Sequence, residues 1–392
     1  MTGMTARGLN ATGSGATGEN ARHLLHVFAS FGLGGVPIRI CEVINRLPAG
    51  LRHTVVSLDG RIEARQRLAP HTRVAFRPLD LPAYNLLRSL GRVRALIRSL
   101  SPDLLLTYNW GAIECALANR IAPLCRHIHF ESGFGAEEGD GQLWRRNLLR
   151  RVALAKAERL VVPSQTLVAI AAGAWRVPAA KLLHLPNGVD FARYRGAPGR
   201  RDDTFLAARG LAPTEPHPTV IGTVAPLRPE KNVGRLLRAF AALPERTPAI
   251  LVVAGGGAEM GKLRGLAGEL GIAERTNFLG HIDDVPAALR GLDVFALSSD
   301  TEQMPNSLLQ AMAAGRPVAA VDVGDVRHIL APENRPLVVP RDEEGALTNA
   351  LASLCADAGR RETLGRLNQE RARDAYSLES MVAAYGTLFG LA

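Results

Sequence analysis

The sequence predicts two doubly wound parallel-sheet α/β domains facing each other across a cleft. Three observations carry that class. Short apolar runs alternate with helix-length segments along most of the chain, the pattern of strands covered on both faces by crossover helices. A Pro-, Gly- and charge-rich passage at 196–216 interrupts the alternation, which then restarts. The chain, at 392 residues, is also too long for one comfortable core.

Residues 1–22 open with "MTGMTARGLNATGSGATGEN", Gly, Thr and Ala without an apolar centre, and read as a disordered tail, not a signal peptide. The N-terminal domain is placed at 23–195. Its strands are "HLLHVFA" (His23–Ala29), "HTVVSLD", "TRVAFRPLD", "DLLLTYN" (Asp103–Asn109), "RHIHFESG" (Arg126–Gly133) and "RLVVPS" (Arg159–Ser164), with a helix after the first through about Leu47. The passage 196–216 is read as a linker. The C-terminal domain then runs over 217–375, with strands "TVIGTVA" (Thr219–Ala225), "AILVVAGGG" (Ala249–Gly257), "TNFLG", "DVFALSS" (Asp293–Ser299), "PVAAVDV" (Pro317–Val323) and "PLVVP". Residues 376–392 are expected to form a C-terminal helix crossing back to the N-terminal domain.

Composition narrows the partners. A formal net charge of +10 favours anionic ones. Aromatic residues at 5% are too few for base-stacking platforms, and no nucleic-acid recognition motif is present, so nucleic acid is not expected. Cys41, Cys115, Cys125 and Cys355 show no C-x-x-C spacing and read as ordinary thiols of a reducing compartment. No run of 18 apolar residues exists, and the expected location is cytoplasmic.

Ligands of such sheets bind beyond the carboxyl ends of the strands. The first of those loops is "FGLGG", where Gly34 and Gly35 allow close backbone approach and the helix at Val36-Pro37 offers free N–H groups. In "HIHFESGFG", His127, His129 and Glu131 alternate and share one face. Glu131, beside Gly133 and Gly135, is expected to be exposed at the cleft rim as a general base or acceptor-hydroxyl ligand, with His129 near it. His127 reads as a satisfied core residue. "APLRPEKN" places Arg228 and Lys231 three apart, a planar fork and a point charge suited to a diphosphate. "AGGG" leaves room at Gly255 and Gly256 for a flat ring.

The passage "TEQMPNSLLQAMAAGRPVAA" (Thr301–Ala320) sets Glu302 ahead of a helix that Pro305 suits as first residue. Free N–H groups around Met304, Pro305, Asn306 and Ser307 and the positive helix end make an anion site. Gln310 shares a face with Asn306.

The Gly-Gly loop, "NGVD" (Asn187–Asp190), "LRPEKN", "AGGG", "FLGHIDDVP" and "EQMPNSLLQAMAAGRPVAA" followed by "VDVGDV" occur in that order. In this the chain resembles the retaining nucleotide-sugar glycosyltransferases of family 4 (glycosyl transferases group 1), with the GT-B fold. The resemblance runs over Leu24–Leu391 and is most specific over Thr219–Ile329. It implies a hexosyltransferase that moves a sugar from a nucleotide-diphosphate donor to an acceptor hydroxyl with retention, in cell-surface polysaccharide or glycolipid assembly. The donor would be a co-substrate, with no cofactor and no metal. Arg228 and Lys231 would hold the diphosphate and neutralise the leaving group. Glu302 matches the first acid of E-x7-E, the backbone around Met304–Asn306 would bind phosphate, and position 310 would hold the ribose hydroxyls.

Two departures stand out. Gln310 replaces the second acid, which removes a charge-assisted acceptor pair. "APL" replaces the usual "GRL", leaving Pro226 at the Arg position. The acceptor, a carbohydrate or a lipid-linked one, is expected on the N-terminal domain near Gly34, Gly35 and Glu131. There "QLWRRNLLRRVALAK" (Gln142–Lys156) reads either as a peripheral contact with anionic lipid at the inner face of the membrane or as an ordinary solvated helix. The alternative function is a nucleotide-sugar epimerase of the same fold, which would need further acids and bases around the sugar and no acceptor groove.

Overall fold

The computed structural model describes residues 21–48, 50–81, 86–134, 138, 141–211 and 217–391. The tail expected at 1–22 lies outside them except for its last two residues, and Arg22 already belongs to the first strand. The N-terminal sheet contains β1 (Arg22–Phe28), β2 (Leu51–Ser57), β3 (Val74–Phe76), β4 (Leu104–Tyr108), β5 (Arg126–Phe130), β6 (Arg159–Val162) and β7 (Leu182–His184). Its order is β3-β2-β1-β4-β5-β6-β7, all parallel. The C-terminal sheet contains β8 (Thr219–Val224), β9 (Ala249–Ala254), β10 (Thr276–Gly280), β11 (Val294–Leu297), β12 (Val318–Val321) and β13 (Val338–Val339). Its order is β10-β9-β8-β11-β12-β13, again all parallel. The sequence reading missed β7, a half-buried three-residue edge strand whose "LLH" is too short to carry a period.

In both sheets the order of winding reverses at one place, between β1 and β4 and between β8 and β11. The loops that leave these strands diverge there and open a crevice, which is where such sheets bind ligands. The chain also returns to its start. Helix Leu378–Leu388 buries Leu378, Met381, Val382 and Tyr385 in the cluster that holds Leu24, Phe28, Ile40 and Phe130 of the N-terminal domain. The Val189 N–H donates to the Tyr376 carbonyl at 2.8 Å and the Leu378 N–H to the Val189 carbonyl at 3.2 Å, so both interdomain passages run side by side.

The passage read as a linker is packed where it is described. Phe205 and Leu206 are buried in the C-terminal core. Gly199 has φ +61° and lies so near helix Ala358–Ala375 that a Cβ there would meet the Glu362 Cα at 2.3 Å. Arg316, 0% exposed, donates to the carbonyls of Ala197, Arg200 (3.0 Å), Leu292 (2.6 Å) and Ala314 (2.9 Å). A composition rich in Pro, Gly and charge suggests a free tether, but here the glycine permits backbone contact and the buried guanidinium satisfies the carbonyls. Burial pushes the Arg316 guanidinium down to about 10, against the opposing pull of Asp293.

The N-terminal sheet buries histidines as hydrogen-bonded polar groups. His26 Nδ1 meets Tyr108 Oη at 2.9 Å and its Nε2 meets His53 Nδ1 at 2.9 Å, while Thr107 Oγ1 lies between His127 Nε2 (2.8 Å) and His129 Nδ1 (2.7 Å). Burial, reinforced by neighbouring imidazoles, pushes His53 down to about 4, His127 to about 3 and His26 well below its ordinary value. These groups stay neutral in the folded chain and charge in the unfolded one below pH ~6.5, so the unfolded state binds more protons and stability falls with falling pH. The loss runs from about pH 6.5 down through about 4, and His53 accounts for on the order of 3 kcal/mol of it. Urea unfolding between pH 7.5 and 4 should show this decline, and His53→Gln should flatten part of it; an identical slope in the variant would remove His53 from the account.

Candidate active site between the domains

The two loops at the C-terminal crevice are bound to each other. After β8 the chain passes through Ala225–Arg228 into a turn at Pro229–Lys231, then into helix Val233–Ala241. Asn232, with φ +38°, caps that helix by accepting from the Arg235 N–H at 3.1 Å. Its Nδ2 also donates to both oxygens of Asp300 at 3.1 Å, in the loop after β11. Arg235 reaches the same loop, donating to the Ser298 carbonyl at 2.8 Å and pairing with Asp300 at 2.8 Å. Held this way, Lys231 Nζ meets Glu302 Oε1 at 2.5 Å, and Ser299 Oγ donates to the same oxygen at 2.8 Å. The sequence reading singled out Lys231 and Glu302 but missed Asn232 and Arg235. Asn at a helix entrance is an N-cap signal that could have found the first.

The other donor-side candidates divide. Arg228 is exposed and sits 3.8 Å from Glu230, apart from the Lys231–Glu302 pair. Gly255 has φ +144°, and a Cβ there would lie 1.8 Å from the Ala225 carbonyl oxygen. The "APL" loop lies against the glycine loop, with Leu227 N–H donating to the Gly256 carbonyl at 2.9 Å, so close backbone contact explains Gly255 without any ring. Gly256 has only ordinary contacts, the nearest to His281 at 3.7 Å. Pro305 serves as N-cap of helix Asn306–Ala313, one residue ahead of the expected position, with Met304 buried and Ser307 half-buried.

Across the crevice the two switch points meet. Gly34 caps helix Gly35–Arg46 in extended conformation, and a Cβ on Gly35 would stand 3.4 Å from Asn306 Nδ2. Asn187, from "NGVD", donates through Nδ2 to the Met304 carbonyl (3.1 Å) and to Asn306 Oδ1 (3.0 Å), and Arg39 hydrogen-bonds to Asn187 and to Ser132 Oγ (2.8 Å). Farther along, Ser164 Oγ donates to Gln303 Oε1 at 3.0 Å. Asp325 accepts from the Gln165 N–H (2.6 Å), the Thr166 N–H (3.0 Å) and Thr166 Oγ1 (2.7 Å). A carboxylate of one domain thus caps helix Gln165–Gly173 of the other, and the domains are closed on each other. Gln310 lines an interdomain cavity of about 100 Å³ with Asn306, Arg39 and Arg193. That volume is below the ~300 Å³ of ordinary ligand pockets, so in the closed form it admits little more than water.

The placement expected for Glu131 and His129 is corrected. Both are fully buried, as is His127. Alternation does set the three on one face, but helix Trp144–Leu154 covers that face. Its Arg150, 0% exposed, lies over the rings of Trp110, Phe134 and Trp175 at 4.9, 5.4 and 4.8 Å. It pairs with both oxygens of Glu138 at 2.9 Å, and its Nε is 3.5 Å from Glu131 Oε2. Neither Glu131 oxygen has a hydrogen-bond partner among the described residues, and His129 Nε2 lies 3.8 Å away. Glu131 is therefore a buried counter-charge to Arg150 in this closed form, not a rim ligand. Gly135, on which the expectation also leaned, lies outside the described residues. Among the described residues, no group of three or more His, Cys, Asp or Glu could hold a metal ion.

A facing pair of doubly wound parallel-sheet domains is the build of GT-B glycosyltransferases. Residues 33–193 match Glycosyltransferase Family 4, and residues 212–371 match Glycosyl transferases group 1. The chain belongs to this glycosyltransferase family. Among relatives, a D-inositol 3-phosphate glycosyltransferase of Salinispora tropica is 33% identical over 56% of this chain and 48% of its own. A GDP-mannose-dependent alpha-(1-6)-phosphatidylinositol monomannoside mannosyltransferase of Mycobacterium tuberculosis is 32% identical over 49% of this chain and 51% of its own. The chain thus spans about half the length of these curated relatives. Of solved structures, Anabaena HepE in complex with UDP superposes with a TM-score of 0.78 at 18% identity, covering 94% of this chain and 100% of that one. Sucrose-phosphate synthase of Thermosynechococcus elongatus does so at 0.78 and 22%, covering 94% and 98%. At such identities the likeness is one of fold.

Proposed function

We propose that the chain transfers a hexose from a nucleotide-diphosphate donor to an acceptor hydroxyl with retention of configuration, without a metal. The observation that carries this is the Lys231–Glu302 pair at the β8–β11 switch point, opposite Gly35 and at the mouth of helix Asn306–Ala313. A diphosphate in the crevice would meet Lys231 and the free N–H groups of that helix, which supply the positive charge a departing phosphate needs. Arg228 is long and exposed enough to join them. Glu302, beside the same phosphates, would orient the donor sugar, and the acceptor hydroxyl would attack from the face of the leaving group, which takes its proton. Structural neighbours solved with UDP and relatives named for phosphoinositol-type acceptors support this reading. We place its role in cell-surface polysaccharide or glycolipid assembly on the same ground.

The test is a thermal-shift screen with UDP, GDP and ADP and their sugars, since a ligand that binds only the folded chain raises its melting temperature. Stabilisation by one nucleotide, abolished in Lys231→Ala, is expected; no stabilisation by any would sink the reading. The donor found is then incubated alone, and appearance of its epimer would turn the assignment to an epimerase. Gln310→Glu is expected to tighten nucleotide binding several-fold through a charge-assisted bond to ribose hydroxyls. Unchanged affinity would leave Gln310 a filler of the interdomain cavity.

We also propose a peripheral membrane contact. Trp144 (68% exposed), Leu148 (50%) and Val152 (37%) recur at four-residue spacing on one side of helix Trp144–Leu154, with Leu143 beside them. Among the described residues, no helix is long and apolar enough to cross a membrane. The arginines of this helix are not equivalent. Arg150 is buried, Arg151 donates to the Ala174 carbonyl, and Arg146 pairs with Glu138, whereas Arg145 stacks on Trp144. Trp144→Ser with Leu148→Ser should reduce sedimentation with phosphatidylglycerol vesicles about tenfold, and full retention would discard the contact.

A further inference from the structure

At the end of the N-terminal domain opposite the crevice lies a cavity of about 420 Å³ that the transfer reaction does not use. Arg126 opens β5, and Lys156 and Glu158 precede β6, so the cavity sits at the amino ends of these strands. Its volume falls within the ~300–1,000 Å³ of small-molecule sites. Asn119 fixes the rim: Oδ1 accepts from the Leu124 N–H at 2.9 Å and Nδ2 donates to the Cys125 carbonyl at 3.0 Å. Glu158 N–H donates to the His127 carbonyl at 2.8 Å and fixes the other side.

The charges inside are unbalanced. Arg120, Arg126 and Lys156 face one acid, Glu158, which is already held by Arg126 through two bonds of 2.8 Å. Arg120 is half-buried, its Nε is sequestered without a hydrogen-bond partner, and among the described residues no ion pair engages it. Lys156 is exposed and equally without a partner among those residues. A buried donor left unmade costs free energy, so a guanidinium held this way is a site awaiting an acceptor. The carboxyl end of helix Ile113–Ile121 would oppose an anion, but Arg94 covers it by donating to the Ala118 and Ala122 carbonyls at 2.9 and 2.8 Å.

We propose that this cavity binds a phosphate group, carried by a phosphomonoester or phosphodiester, through Arg120 and Lys156. A planar fork and a flexible ammonium lining one cavity suit the tetrahedral oxygens of phosphate. The phosphate could belong to a soluble compound or to a lipid headgroup, and Ile121 (55% exposed) and Leu124 (37%) at the rim offer apolar surface beside it.

The test uses the full chain in the Lys231→Ala, Trp144→Ser, Leu148→Ser background, so that neither the candidate active site nor the proposed membrane contact contributes. Titration calorimetry with sn-glycerol 3-phosphate and sedimentation with phosphatidylglycerol against phosphatidylcholine vesicles are compared. Arg120→Gln with Lys156→Gln is expected to weaken one or both by about tenfold or more. Glu158→Gln, which removes the acid, is expected to tighten it. Arg65→Gln with Arg98→Gln, an equal loss of charge on exposed residues outside the cavity, is expected to change neither. Loss of glycerol phosphate binding assigns a soluble phosphomonoester, and loss confined to anionic vesicles assigns a lipid headgroup. Binding of both probes unaffected by the double substitution, or reduced equally by the control pair, overturns the proposal. The outcome is independent of whether the crevice transfers a sugar.

Discussion

Lys231→Ala is expected to lower kcat/KM for sugar transfer by about 10²–10³-fold, most of it in kcat. A charge that meets the departing phosphate is worth more in the transition state than in the bound donor, because negative charge grows there as the glycosidic bond breaks. In the closed structure the ammonium stands 2.5 Å from Glu302 Oε1, and Glu302 is largely buried. Removing the lysine alone therefore also strands a carboxylate. Lys231→Ala is best measured beside Lys231→Ala with Glu302→Gln, which relieves that charge. If the double variant recovers full activity, Lys231 serves only to neutralise Glu302 and the proposed role is wrong. Lys231→Arg is expected to recover part of the rate, since a larger fork fits a site shaped for one ammonium poorly.

The second large effect is structural. Arg316→Met is expected to destabilise the chain by about 3–5 kcal/mol, because four carbonyls lose a buried charged donor and two of them, on Leu292 and Ala314, belong to buried residues. The damage should be directional. Two of those carbonyls belong to Ala197 and Arg200, so the passage between the domains should loosen first and trypsin should cut after Arg200 or Arg201 before the domains melt. Urea unfolding and timed proteolysis check both parts. Cleavage only after global unfolding would show that Arg201, paired with Asp293 at 2.6 Å, holds the passage without Arg316. Arg316→Lys should recover little, since one ammonium cannot serve carbonyls spread around a planar fork.

Much of this molecule was legible from sequence because its strands are buried on both faces and bounded by Gly and Pro. "DVFALSS" and "PVAAVDV" declare themselves, and the ordered motifs declared the family. That Lys231 and Glu302 lie in loops leaving two strands was legible, because each follows its strand by a few residues. What was not legible depended on what lies across the chain. Glu131 had the right spacing for a rim acid, but whether it is exposed depends on Arg150, 19 residues on, packing between Trp110 and Trp175. The passage at 196–216 had the composition of a tether, and only Arg316 and Gly199 disclose that its described part is wall. The resemblance directs Gln310 toward a ribose, and the closed domains place it in a small cavity that Arg39 and Arg193 also line.

Gly324 and Asp325 stand next to each other in one short turn. A side chain on Gly324 would strike the Glu302 carbonyl oxygen at 2.1 Å, and the Asp325 N–H donates to the Gln303 carbonyl at 3.1 Å. The carboxylate of Asp325 meanwhile holds the opposite domain by its helix entrance. One side of the turn lies against the backbone of the crevice loop and the other against the neighbouring domain. The backbone that carries Glu302 and the carboxylate that grips the other domain thus share one turn, so a side chain at position 324 would disturb the crevice loop and the interdomain contact together.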